Sequence, residues 1–524
     1  MNNRIHLPVL TEVSRRRFLG GAATAMGAAA LSISPFGSTG RAAGPKRGGV
    51  FRAAIPTGSA SDVLDPARYL APPQYLMGMT LGNALVELTG DKKPIPELAE
   101  SWEHSDDLKR WVFHIRKGVQ FHNGKTLDSA DVVYSLSRHI GKDSSSAGSG
   151  MMKGVLEIVA DGPDAVVITH ETGTPDLHYA LANFQFVIVP KDFSDWNNFV
   201  GTGPYTLKTF NPGVLFEATR NPNYWKPNAA WFDEVNYLFI SDLNAALHSL
   251  LSGEVHAVQE ISSRSAKKLQ SNGDVTIVRN DGTMCTQLDM DTRYKELANP
   301  KVRNAMKYLI DRQKMVDFIT DGYSLVGNDQ PIPPNDPFFN PEVKPREYDP
   351  ERAKHLLKEA GVSSLGLDLH VADVFANAVD ATAIIQQTAA AGGVDVKIRR
   401  AQVDGYWSDI WMKRPFIVSE AGVRATPDVM FSLFFACQAG WNETFWCNDR
   451  FNKLLAAGRS TADFDKRKTI YGEMQQLVSD DGGIALFMYR TILDLYSKSI
   501  GGTAPDATRP MMGMRVAERA WFET

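Results

Sequence analysis

The sequence predicts an α/β protein with more than one domain, and three observations carry that expectation. At 524 residues the chain exceeds what one compact hydrophobic core ordinarily organises. Strand-like residues 367–371, a helical stretch near 381–391 and strand-like residues 394–398 alternate as β-α-β, the pattern of a sheet covered by helices. Residues 200–260 run turn, hairpin, strand and helix in close succession.

Within 200–260, Gly201-Thr202-Gly203-Pro204-Tyr205 reads as a turn that needs glycine for positive φ and proline for a fixed φ. Strand-like residues 205–210 and 215–219 flank Asn211-Pro212-Gly213 and predict a hairpin. Arg220-Asn221-Pro222-Asn223-Tyr224-Trp225 and a strand over 235–240 follow. Asp242 is placed to cap a helix whose Leu243, Ala246, Leu247, Leu250 and Leu251 recur at helical spacing until Gly253 ends it.

Bulk properties narrow the function. Hydrophobic content of 43% and charged content of 22% are ordinary for a soluble globular protein, and the formal charge is −4. Residues 1–43 hold five basic side chains and one acidic, so the remainder is more acidic still. That balance argues against nucleic acid and anionic membranes as partners. Ser14-Arg15-Arg16-Arg17-Phe18-Leu19, followed by a weakly apolar Ala- and Gly-rich stretch, resembles a twin-arginine export signal, with cleavage expected near Ala43 or Gly44. The alternative, a short membrane anchor, suits so weakly apolar a run poorly. No Cys stands at that site to carry a lipid.

Other blocks continue the pattern of 200–260 along the chain. Leu64-Asp65-Pro66 is a turn. Pro96, Leu98, Ala99, Glu100, Ser101 and Trp102 precede Trp111, Phe113, Ile115, Arg116, Gly118, Val119, Phe121, His122 and Gly124, and Asp128 caps a helix with Asp131, Val132, Ser135 and Leu136. Pro300, Val302, Arg303, Ala305, Ile310, Asp311 and Arg312 form a later block. Taken in this order, the blocks resemble the bacterial extracellular solute-binding proteins of the peptide and nickel class. His256 departs from the pattern, standing where that family usually has Asp.

The resemblance implies a two-lobed periplasmic binding protein fold, large and type II-like, with a subdomain inserted in the first lobe and a hinge of two crossings. The division it implies is an export signal over 1–43, lobe I over 44–80, an inserted subdomain over 81–198, the lobe I core over 199–260, lobe II over 261–482 and a return to lobe I over 483–524. Hinge crossings are expected near Glu260 and residues 481–483. The implied role is a monomeric periplasmic component of an ABC importer that carries a peptide or peptide-like solute to transmembrane permease subunits, with no cofactor.

A solute cleft should be walled by apolar surface with a few polar anchors. Residues 406–446 have that composition, with Tyr406, Trp407, Trp411, Phe416, Arg424, Asp428, Phe431, Phe434, Phe435, Trp441, Asn442, Phe445 and Trp446. Core packing is expected for Phe416, Phe434 and Phe435. Trp407, Trp441 and Trp446, set among polar residues, are expected at the ligand, as are Phe431 and Asn442. Pro427, Asp428 and Phe431 match the family's loop ending Asp-Pro-Asp-x-x-Phe, with Thr426 in place of its first acid. The acid that pairs with a peptide's α-amino group in dipeptide binders aligns with Val423, and residues 373–377 lack their carboxylate-binding arginine. Arg424 is therefore expected either to take an acidic group of the solute or to pair with Asp428. The family's dipeptide binders also carry a Cys pair near Cys437 and Cys447, which implies a bridge there; Cys285 reads as a buried thiol.

Other classes find less support. The Gly-x-Ser-x-Gly, His-Glu-x-x-His, P-loop and Gly-x-Gly-x-x-Gly patterns are missing, which weighs against a secreted hydrolase without abolishing that reading. The eleven histidines, His114 and His122 among them, show no chelating pair, so no metal site is expected. Opines, oligosaccharides and nickel chelates stay open as non-peptide solutes, since a metal already wrapped in a chelator needs no protein ligand.

Overall fold

The computed structural model describes residues 45–141, 144–374 and 377–523, so the export segment expected at 1–43 lies outside the described residues. Its centre is a mixed sheet of eleven strands. In chain order these are β1 (Val50–Ile55), β2 (Tyr205–Asn211), β3 (Leu215–Arg220), β4 (Glu234–Phe239), β5 (Ala257–Ile261), β6 (Val275–Met290), β7 (Leu325–Val326), β8 (Leu365–Val371), β9 (Val394–Arg400), β10 (Phe416–Gly422) and β11 (Ile484–Ser497). Across the sheet the order is β9-β8-β10-β6-β11-β5-β1-β4-β3-β2, with β7 on β11. β1 runs parallel to β4 and β5, and β8 runs parallel to β9 and β10.

Two lobes build on the two ends of this sheet. The first packs Phe51, Phe216, Tyr237 and Tyr496 under the helix Pro72–Leu81, while a flanking cluster holds Ala246, Leu250, Val258 and Leu495. The second packs Leu288, Leu367, Ile385 and Phe416 among the helices Pro300–Tyr308 and Ala378–Ala391, beside a cluster around Phe431, Phe451 and Tyr471. A four-stranded antiparallel sheet, in order Ala99–His104, Arg110–Ile115, Ala165–His170 and Val155–Ala160, makes a third body with the helix Ser129–Ser137. Its core, with Trp111, Phe113 and Ile168, draws on residues from Leu85 to Ile188.

β6 and β11 serve both lobes. Val278 packs in the first and Leu288 in the second; Leu495 and Tyr496 pack in the first, Ala485 and Phe487 in the second. The cores therefore change hands inside these strands, at the register break between Asn280 and Met284 opposite Arg490 to Ile492. This exchange lies beyond the crossings expected near Glu260 and residues 481–483, because β6 and β11 each run on through both lobes. Gly282 makes the break, with φ +68° and so little room that a Cβ would lie 2.8 Å from Pro333 and Asn335.

Asp128 accepts N–H bonds from Ala130 and Asp131, and Asp242 accepts one from Ala245 at 2.8 Å, so both cap their helices. β2 and β3 form the hairpin, with Gly213 at φ +71° in its turn. The glycines of Gly201-Thr202-Gly203 act differently from expectation: neither has positive φ. A Cβ on Gly201 would lie 2.2 Å from the Leu81 carbonyl oxygen, and one on Gly203 would lie 2.3 Å from the Leu81 carbonyl carbon. Close approach to the end of the helix Pro72–Leu81, rather than backbone handedness, requires glycine there.

Candidate functional site

The stretch 403–447 leaves β9, makes a tight helical turn at Tyr406–Ile410, returns through β10 and enters the helix Pro427–Phe434. Thr426, in place of an acid, caps that helix by accepting from Val429 N, and Pro427 occupies the first helical position. The loop after the helix is closed by a Cys437–Cys447 disulfide, Cα atoms 4.4 Å apart, while Cys285 is free and buried.

The candidates separate by burial. Trp407 is 62% exposed and Trp441 42% exposed, and both rings meet Trp411 edge-on. Phe431 is fully buried against Phe451 and Tyr471. Trp446 packs on Phe451 and donates its indole N–H to Asp481 at 2.8 Å. Asn442 is buried too, and its amide donates to the carbonyls of Ala436 and Trp446. Phe431, Trp446 and Asn442, expected at the ligand, are thus buried where they hold the loop and core together. Phe434 and Phe435 are buried as expected.

Arg424 and Asp428 do not pair. Asp428 is held by Arg459, whose Nε lies 2.8 Å from Oδ1, while burial pushes its carboxyl up to about 6. The Arg424 guanidinium instead lies over the rings of Phe434 and Trp441, 5.3 and 5.6 Å from their centroids. Facing it from the first lobe is Arg509, 5.8 Å from the ring centroid of Tyr75, which itself stacks on Phe184. Burial lowers the pKa of both guanidiniums, and the charge of Arg509 lowers that of Arg424 further. Among the described residues neither head group has an acidic partner. Since arginine stays charged, two partly buried cations act on one another here, with Tyr75 close to both.

The backbone that presents Arg509 is strained. Met511, Met512, Gly513 and Met514 are successive left-handed residues, φ 54°, 60°, 71° and 63°. Each non-glycine residue in that region costs about 1–2 kcal/mol. Asp494 offsets part of this by accepting the Met511 amide at 2.6 Å, and Asp506 accepts the Thr508 amide at 2.8 Å. The left-handed segment that follows Arg509 is thus tied down by the buried carboxylates Asp494 and Asp506.

A model of the bacterial extracellular solute-binding proteins, family 5 Middle, matches residues 93–442, about two thirds of the chain. The chain belongs to family 5 of the bacterial extracellular solute-binding proteins. Within that family it is 26% identical to the dipeptide-binding protein of Escherichia coli K12 over 474 residues, covering 81% of this chain and 86% of the relative. The structure of HbpA2 from Haemophilus parasuis superposes with a TM-score of 0.82 at 22% identity, covering 91% of this chain and all of the other. The periplasmic binding protein DppA of Helicobacter pylori, in complex with the peptide STSA, superposes with a TM-score of 0.73 at 22% identity, covering 91% and 99%. These likenesses place the fold as the two-lobed fold of family 5.

Tyr75 and Arg509 were missing from the sequence-derived candidates. Nothing marks a tyrosine in a helix or an arginine before a proline as a pair when they stand more than four hundred residues apart; only the return of the chain to the first lobe joins them. Two of the histidines, His122 and His256, are structural. His122 Nδ1 accepts from Gly201 N at 3.3 Å while Nε2 meets the Gly203 carbonyl at 3.2 Å, so it braces the glycine turn. His256, where the family usually has Asp, accepts from Arg52 N at 3.0 Å, stacks with Phe51 and meets Phe522 edge-on. Among the described residues no group of three His, Cys, Asp or Glu could hold a metal ion.

Proposed function

We propose that this family 5 protein is the periplasmic solute-binding component of an ABC importer, and that it takes a peptide or peptide-like solute between its lobes with an anionic group seated between Arg424 and Arg509. The observation that carries this is the pair of unpartnered guanidiniums, one from each lobe, backed by aromatic rings. A carboxylate between them relieves their repulsion and can accept paired N–H bonds from each. Because it touches both lobes, it favours the closed form over the open one, and closure is then what a permease reads. The E. coli dipeptide-binding relative and the peptide held by the Helicobacter protein support a peptide as solute. Val423, in place of the family acid, points to a solute held without a free α-amino contact at that position.

Export by the twin-arginine route, with residues 1–43 removed, and a monomeric mature chain complete the proposal, as does a lobe division at the exchange inside β6 and β11. The test is calorimetry on the mature protein with di- to pentapeptides bearing free or amidated C-termini, followed by mass spectrometry of the recovered solute. Peptides with a free carboxylate should bind and be recovered intact. Equal binding of the amidated set, or a cleaved solute, would overturn the proposal.

A further inference from the structure

Behind the rings under Arg424 lies a small recess of about 10 Å³, room for one water-sized group, walled by Phe434, Trp441 and Met430 and floored by Gln287, Asp289 and Glu443. The floor is unusual for so apolar a surround. Asp289 and Glu443 are buried, at 1% and 7% exposure, and no cation pairs with either among the described residues. Ser419 Oγ touches a carboxyl oxygen of each, Oδ2 of Asp289 and Oε2 of Glu443. The outer oxygens are taken by Gln287 Nε2 on Asp289 Oδ1 and by the Trp411 indole N–H on Glu443 Oε1, both at 2.8 Å.

A hydroxyl has one proton to give, so it can donate to only one of the two carboxyls; the other must supply a proton of its own to the shared contact. Burial, and then the charge of Glu443, push the Asp289 carboxyl well above the usual carboxylate range, which fits a pair holding one proton and one net negative charge. A second observation is independent of the acids. Gln287 is 3% exposed, lines the same recess, and its Oε1 has no hydrogen-bond partner. An orphaned buried acceptor of this kind calls for a donor from outside the fold.

We infer that the recess is a subsite for a water-sized cationic group of the solute, an ammonium, received by Gln287 Oε1 and the Asp289–Glu443 pair. One positive group neutralises the single negative charge of the pair and supplies the N–H that Gln287 lacks. The aromatic walls exclude water and favour a cation's approach over their faces. Because Phe434 and Trp441 wall the recess and also lie under Arg424, the two subsites are adjacent, and the solute they fit is short and zwitterionic, its anion at the arginines and its cation in the recess. This inference rests on the solute-binding proposal and sharpens it to a solute class.

The test is calorimetry on the mature protein with di- and tripeptides carrying lysine or its uncharged isostere norleucine at each position in turn. At one position lysine should bind at least tenfold more tightly than norleucine. Glu443→Gln should erase that contrast by weakening the lysine peptide tenfold or more, with the norleucine peptide within threefold of wild type. Gln287→Leu should narrow the contrast, and Arg424→Ala should weaken both peptides alike. Melting curves of the unliganded variants report whether each is folded. No lysine preference at any position, or a preference that survives in folded E443Q, overturns the inference. If no peptide binds at all, the peptide reading fails on its own, and the recess is judged on N-(1-carboxyethyl) derivatives of lysine and norleucine; equal or undetectable binding of those two overturns it.

Discussion

Lys92 Nζ lies 3.0 Å from Asp336 Oδ2, with each side chain only 3% exposed, and the two residues come from different bodies of the fold. Lys92 sits at φ +63° in the turn between the strands Val86–Leu88 and Pro94–Pro96, beside the small-sheet body; Asp336 stands next to Phe338 in the second lobe's core. A companion pair, Asp176 with Arg467 of the helix Phe464–Asp481, joins the same two bodies and is nearly as buried. Removing one member strands a buried charge, so Asp336→Ala is expected to destabilise by about 3–5 kcal/mol in urea unfolding. Replacing both members by apolar residues, Lys92→Met with Asp336→Leu, should restore most of that loss. Equal losses in the single and double variants would show that the pair carries no charge-specific role.

Arg424→Ala and Arg509→Ala should each weaken solute binding by about 2–3 kcal/mol, the range of a lost charge-assisted contact. The unliganded melting temperature should hold steady or rise, since each change relieves repulsion between two partly buried cations. Calorimetry together with a melting curve checks both signs. A falling melting temperature would mean that the arginines are structural.

The Cys437–Cys447 bridge closes a loop over a separation of ten residues, which by chain entropy is worth about 2–3 kcal/mol. Cys437→Ser with Cys447→Ser should lower unfolding stability by that amount. Because Trp441 and Glu443 lie inside the loop, the variant should also bind solute more weakly. Parallel denaturant and binding titrations read the two effects separately.

Stability should fall on mild acidification. Burial, and then the charge of Arg138, lower His139 from its ordinary 6.5 to about 3, and burial lowers His122 to about 4. The folded state therefore keeps these imidazoles neutral, while the unfolded chain takes up protons below about 6.5. Their contribution is complete above that pH and is lost as pH falls toward the folded values. For buried His139 the loss by pH 5 is about 2 kcal/mol. His139→Gln should show a shallower decline between pH 7 and 5 than wild type; identical slopes would count against the assignment.

Much of the fold could be read from local chemistry. The caps at Asp128 and Asp242 and the turn at Gly213 follow from residue type and short-range spacing, and all stand where expected. The site was legible only in part. Arg424 was found because it breaks a family loop, yet its neighbours Arg509 and Tyr75 are brought to it by tertiary structure alone. Trp446, set among polar residues, and Asn442 were expected at the ligand; the bridged loop folds back over Phe451 and buries both. The glycines at 201 and 203 were recognised as necessary for a reason the structure replaces, since crowding against Leu81 leaves no trace in sequence.

The sharing of β6 and β11 between the lobes has a practical consequence. Neither lobe can be produced from a contiguous stretch of gene, because each draws strand segments from the middle and the end of the chain. A truncation after Asp274 would remove β6 from the first lobe's core, and one before Ile484 would deprive both lobes of β11. Fragments cut in this way should fail to fold alone, and bending between the lobes is therefore a torsion of one paired ribbon rather than the swing of two separable domains on a linker.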